Sequence, residues 1–174
     1  VDPLSGNGMF QSISSALAAP AVINTLLKRR QSAGLATAFY RGRIKEAFLR
    51  FSRTGRDFYR MESRWRESGF WHARAGWPDD EPVHAPDPPI FEGIAPRPVI
   101  AAGFIVEQPV AITSERPQGV WQVAGVTLAP LLEALPARPE QQRSVLQKRL
   151  AALADTEPRR RESVAAWLRH HRLL

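Results

Sequence analysis

The chain has 174 residues, of which 44% are hydrophobic and 24% charged, and it contains no cysteine. These totals fit one ordinary domain or two small lobes with a packed core, and they exclude disulfides, thiolate metal sites, a catalytic thiol and wholesale disorder. The formal charge of +7 is uneven: residues 1–70 carry 12 Lys/Arg against 5 Asp/Glu, residues 71–118 carry 3 against 7, and residues 119–174 carry 9 against 5.

Three arrangements give such a charge map: a polyanion partner, a basic segment docked on an acidic remainder, or solvated arginines on helix faces. No basic region precedes an apolar run near the N-terminus, and the apolar runs read as too short for a bilayer span. The expectation is therefore a cytoplasmic protein with no membrane partner.

The chain starts "VDPLSGNGMF". Glycines at 6 and 8 let the main chain approach a ligand closely, and the helix expected from about Met9 aims its free N–H groups at whatever the loop holds. That geometry suits a phosphate, a carboxylate or an anionic heteroaromatic carbonyl. The motif is unspecific by itself: Gln11 stands where a dinucleotide fingerprint needs glycine, and the Gly-Lys-Ser/Thr of a phosphate-binding loop is absent. A tight turn capped into a helix explains the same residues.

Residues 8–67 read as helix, interrupted at Pro20 and broken near Gln31–Gly34. In residues 35–67, Phe39, Tyr40, Ile44, Ala47, Phe48, Phe51, Phe58, Tyr59, Glu62 and Trp65 recur at three- and four-residue steps, which predicts a buried aromatic stripe. Arg43, Arg50, Arg53, Arg56, Arg60 and Arg64 fall largely outside it, as solvated or salt-bridged groups. Residues 78–98 hold seven of the fifteen prolines and read as an extended connector. Residues 99–126 predict a β-hairpin, with "VIAAGFIV" and "VWQVAGV" as strands and "EQPVAITSERPQG" between them. Three short helices follow, with Thr127 as a candidate cap, Pro139 at an early helical position and Thr156 before the last. Adjacent histidines diverge on a helix, so His170 and His171 read as surface residues with no metal site.

The fold expected is mainly α with a small β-hairpin. It divides into helices over 1–77, a Pro-rich linker over 78–98 and a small winged-helix-like docking lobe over 99–174.

"DPLSGNGMFQSISSALAAPAVINTLL" followed by "FYRGRIKEAFLRFSRTGRDFYRME" resembles the C-terminal part of the tryptophan-halogenase-like group of FAD-dependent monooxygenases. The likeness covers residues 1–67 best, and Asp2, Pro3, Ser5, Gly6 and Gly8 stand where the group's Asp-Pro-x-Ser-x-Gly pattern would put them. The tail resembles more loosely the small C-terminal lobe of a member that hydroxylates a tryptophan.

The resemblance implies the C-terminal portion of an α/β FAD-dependent monooxygenase fold. Backbone N–H groups of Gly8, Met9 and Phe10 would face the pyrimidine edge of the flavin, where negative charge builds up. Pro3 would lie between flavin and substrate, Asp2 and Ser5 would order the loop, and Asn7 would stand near the ring. "SGNG" departs from the halide-holding text of halogenases, which favours oxygenation. The implied reaction is NAD(P)H- and O2-dependent hydroxylation of an aromatic ring, with a tryptophan of a peptide or protein as substrate and no catalytic residue assigned.

The ADP-binding half and its GxGxxG are not in this sequence, so the expected partner is a remaining N-terminal FAD-binding portion, and the chain alone is expected to be inactive. The alternative from another class is a non-enzymatic basic winged-helix protein that binds nucleic acid, supported by the isoelectric point near 10.9 and Arg159–Arg161. A helical adaptor that scaffolds an enzyme fits the same residues.

Overall fold

A computed structural model describes residues 7–65, 67–83, 88–153 and 157–174, the side chain of Asn7 excepted. The chain divides into two compact units: Val1–Val83 with Ile100–Val106, and His84–Val99 with Glu107–Leu174.

The first unit is helical. Helix α1 spans Asn7–Lys28, a 3-10 turn spans Arg30–Ser32, and α2 runs through Ala33–Met61 before the short α3, Gly69–Ala75. The break expected near Gln31–Gly34 is present, but Pro20 interrupts nothing. Pro20 lies inside α1 on its exposed side, so the Ala16 carbonyl deprived of its usual donor is exposed as well. With Pro20 tolerated, Gly8–Lys28 becomes one helix with a mean hydropathy of 1.3, long and apolar enough to cross a bilayer by length and composition alone. That corrects the expectation from the interrupted apolar runs.

A small core joins Ala21 and Val22 of α1, Ala36 of α2 and Ile105, with Leu35, Phe39 and Tyr40 packed around it. Thr25 sits at its centre, fully buried, and its hydroxyl donates to the Ala21 carbonyl at 2.7 Å while accepting the Ile105 N–H at 2.7 Å. Asn24 Nδ2 donates to the Gly103 carbonyl at 3.2 Å, and the Arg29 guanidinium lies 3.8 Å over the Phe104 ring.

The aromatic stripe of α2 is only partly covered. Phe39, Tyr40, Phe51 and Tyr59 are half-buried, whereas Ile44, Phe48 and Phe58 are each more than half exposed, and Trp65, expected in the same helix, lies beyond its end at Met61. Within its unit α2 packs against α1 and α3, and two such partners cannot enclose a 29-residue helix. Besides Ala36 in that small core, the buried residue of α2 is a charged one: Arg56 is only 2% exposed.

In the second unit, β1 (Phe91–Ala101), β2 (Phe104–Thr113) and β3 (Arg116–Val120) form an antiparallel sheet in that order, with the β1–β2 tip belonging to the first unit. The hairpin therefore starts at Phe91 inside the expected linker, and "EQPVAIT" is strand, not loop. The turn is Ala102–Gly103, with φ of 48° and 76°, the pair of positive values that a two-residue type I′ hairpin loop requires. The prolines fit because of where they fall. Pro96, Pro98 and Pro117 lie on edge strands, and Pro109 lies beyond the end of β3, whose Val120 pairs with Ala111.

Two short strands, β4 (Gln122–Val123) and β5 (Val126–Thr127), pair about a second turn, Ala124–Gly125. Helices α4 (Ala129–Leu132), α5 (Pro139–Ala151) and α6 (Pro158–His170) follow. Pro139 opens α5 as expected. Thr127 caps nothing: it ends β5 and accepts a hydrogen bond from Gln122 Nε2 at 3.3 Å, while Leu128 precedes α4. Thr156 lies outside the described residues. The core of this unit is Ala111, Leu128, Leu131, Leu132, Leu146, Val164, Leu168 and Leu173. At about 2 kcal/mol per buried aliphatic side chain, that cluster dominates the stability of the unit.

Candidate functional site

Of the residues assigned to the flavin loop, Asp2, Pro3, Ser5 and Gly6 lie outside the described residues, as does the side chain of Asn7. Gly8, Met9 and Phe10 form the first turn of α1, where backbone N–H groups have no partner within the helix. Met9 is 77% and Phe10 66% exposed, and a Cβ at Gly8 would meet nothing within 4 Å. Among the described residues nothing covers the first turn, which carries free donors and the positive end of a 22-residue dipole. A helix terminus of this kind favours an anionic group. Ser12 Oγ donates back to the Gly8 carbonyl at 3.0 Å. Among the described residues no group of three His, Cys, Asp or Glu side chains is placed to hold a metal ion.

From this turn an apolar stripe continues along α1. Met9, Phe10, Ile13, Leu17, Ile23 and Leu27 are all more than half exposed. Their spacing is that of one broad helix face. The sequence reads residues 8–67 as helix, and such a reading says nothing of what covers this face.

The arginines of α2 are engaged at its C-terminal half. Arg53 makes a bidentate pair with Asp79, at 2.8 and 2.9 Å. Arg56 reaches Asp57 at 2.8 Å and donates to the Asp79 carbonyl. Arg60 donates to the Ala75 carbonyl at 2.7 Å and meets Asp80 at 2.5 Å. Arg53 holds the Asp79 carboxylate below its ordinary value. The side chain of Arg64, assisted by its own N–H, lowers Glu62 to about 2. These pairs neutralise the C-terminal half of α2, while among the described residues the preceding Arg41, Arg43, Lys45 and Arg50 make no ion pair.

The chain also carries an aromatic patch. Tyr59 and Trp71 approach at 5.4 Å and Phe70 and Trp71 at 5.3 Å, with the Arg74 guanidinium 3.6 Å over Phe70. In the second unit His170 is exposed and His171 is buried, so the expectation of two surface histidines holds only for the first.

No family model matches the chain, and no curated protein matches it. Among solved structures the chain is similar to an enzyme that hydroxylates tryptophan within a polypeptide. That structure is the peptidyl tryptophan dihydroxylase QhpG, essential for tryptophylquinone cofactor biogenesis, with 41% sequence identity and a TM-score of 0.74. The match covers 98% of this chain and 38% of QhpG, so the chain spans less than half the length of its structural neighbour. The group member that the sequence resembles most, the flavin monooxygenase of quinohaemoprotein amine dehydrogenase cofactor maturation, accords with this neighbour.

Proposed function

We propose that this chain is the C-terminal portion of an FAD-dependent monooxygenase that hydroxylates an aromatic ring, a tryptophan within a peptide or protein. The observation that carries the proposal is the likeness to QhpG, 41% identical across nearly the whole of this chain. An open, donor-rich helix N-terminus at Gly8–Phe10 agrees with it.

In this reading Asp2, Pro3, Ser5, Gly6, Asn7, Gly8, Met9 and Phe10 line one wall of the flavin pocket. FAD would supply the oxygen-activating redox chemistry, with NAD(P)H as reductant in the cytoplasm. The contribution of this chain is electrostatic: main-chain N–H groups of Gly8, Met9 and Phe10 stabilise negative charge on the group they face. The apolar stripe from Met9 to Leu27 packs against the N-terminal FAD-binding portion that completes the enzyme. The second unit, read as a winged-helix-like lobe, docks the polypeptide that carries the target tryptophan.

A chimera tests this directly. QhpG carrying this chain in place of its own matched segment is expected to retain flavin and to add oxygen to a tryptophan-bearing peptide, read by mass spectrometry. A peptide with phenylalanine at the target position is the control. A chimera that holds flavin and leaves the tryptophan unmodified would remove the hydroxylase reading, and a folded but colourless one would remove the flavin wall.

A further inference from the structure

Two apolar faces of the first unit stay uncovered, and they differ in charge. The stripe on α1 has no Asp, Glu, Lys or Arg anywhere between Gly8 and Leu27. A face of that composition suits permanent burial, as in an obligate interface. The face on α2 is built otherwise. Ile44 and Phe48 stand one helical turn apart, and Arg41 and Lys45 form the neighbouring row, also one turn apart. All four side chains are exposed. Trp77 joins them from the segment after α3. It is more than half exposed and meets Phe48 edge-on, with ring centroids 5.6 Å apart and planes at 84°.

The positive charge of this face is free. Among the described residues neither Arg41 nor Lys45 makes an ion pair. Glu46, the nearest acid in sequence, lies on almost the opposite side of the helix. Asp79 and Asp80, which follow Trp77, are taken up by Arg53 and Arg60. Burying two unpaired cations in a permanent dry interface is costly. Cations beside exposed aromatic and aliphatic side chains suit a wet, reversible contact instead, with a partner that supplies carboxylates to the cations and apolar side chains to the ring pair.

A nucleic acid matches this face less well. Arg43 is turned toward α1, where it donates to Ser14 Oγ at 3.1 Å, and the Arg50 guanidinium lies over the Phe51 ring at 5.0 Å. Arg41 and Lys45 are then a short row for a phosphate backbone, whose binding rests on many neutralised phosphates. Bases stack on open ring faces, whereas Phe48 and Trp77 already join edge to face.

We propose that the face of α2 formed by Arg41, Ile44, Lys45 and Phe48, with Trp77 beside it, docks an acidic polypeptide segment that carries apolar side chains. The inference rests on the geometry of the first unit and is independent of the hydroxylase reading.

The probe is a short fluorescein-labelled peptide of repeated Glu-Glu-Leu. It is titrated against the full chain carrying Leu17→Glu and Phe10→Glu, so that the α1 stripe does not compete for the leucines. Fluorescence anisotropy is expected to rise on binding, and the affinity to fall with added salt. Arg41→Glu with Lys45→Glu should weaken binding by about tenfold or more, and Phe48→Ser should weaken it by several-fold. Glu46→Gln, on the far side of α2, should leave it unchanged. All these positions are exposed except that Phe48 also touches Trp77, and circular dichroism checks that each variant is folded. A peptide that does not bind, one that binds equally after the charge reversal, or equal binding by a Lys-Lys-Leu peptide would each overturn the proposal. A single-stranded oligonucleotide that binds more tightly than the peptide and responds to the same reversal would assign the face to nucleic acid and overturn it as well.

Discussion

Ala124 has a φ of 50° and Gly125 a φ of 80°. Glycine adopts such values freely, but for alanine the left-handed region costs about 1–2 kcal/mol because Cβ crowds the next carbonyl. Asparagine tolerates it, and Asn-Gly is the preferred pair for this turn. Ala124→Asn should therefore stabilise the second unit by about 1 kcal/mol and raise Tm by roughly 2–4 °C, measurable by calorimetry. An unchanged or lower Tm would show that the β4–β5 turn is not held in this conformation. Gly119 is the opposite case: at a φ of 86°, a Cβ there would stand 2.1 Å from Val110 Cγ2, so no other residue fits. Alanine-glycine pairs are weak turn signals in sequence, and this is why the expected hairpin loop was placed at the prolines and polar residues of "EQPVAITSERPQG". The true loop, Ala102–Gly103, lay inside a stretch that read as one apolar strand.

At the scale of elements, a helix break near Gln31–Gly34, which falls between Lys28 and Ala33, and the start of α5 at Pro139 were legible because each rests on local chemistry. The α2 stripe was legible as an apolar face but not in its exposure, which depends on partners far away in sequence. The latch on the other side of α2 was hidden for the same reason: nothing local pairs Arg53 and Arg56 with Asp79, more than twenty residues on. That latch makes a pH prediction. Asp79 is held below its ordinary value of 3.8 chiefly by the Arg53 hydrogen bond. The folded chain thus binds the proton less readily than the unfolded one, so the stabilisation is complete above the ordinary carboxylate range and fades as pH falls through the folded value. Asp79→Asn should lower Tm near neutrality and flatten the loss of Tm between roughly pH 5 and pH 3. If the acid limb of the variant is as steep as that of the wild type, the latch does not contribute to it.

For the whole molecule, the deciding feature is where apolar surface stays uncovered. The second unit closes a core of eight buried residues, whereas α1 leaves Met9, Phe10, Ile13, Leu17 and Leu27 more than half exposed. A contiguous stripe of this kind marks an interface and drives association when its partner is absent. The isolated chain is therefore expected to self-associate, and Leu17→Glu with Phe10→Glu should shift it toward monomer in size-exclusion chromatography with light scattering. Leu17 is 75% and Phe10 66% exposed in this chain, so at dilutions where the wild type is monomeric the same double variant should leave its Tm within about 1 °C of the wild type. If the proposed function holds, the pair introduced into the QhpG chimera should instead abolish flavin retention, because two carboxylates would then be buried at the proposed interface without partners. A Tm loss in the isolated chain would mean that α1 is already covered within it, and a flavin-loaded double variant of the chimera would mean that the stripe faces something other than the flavin domain.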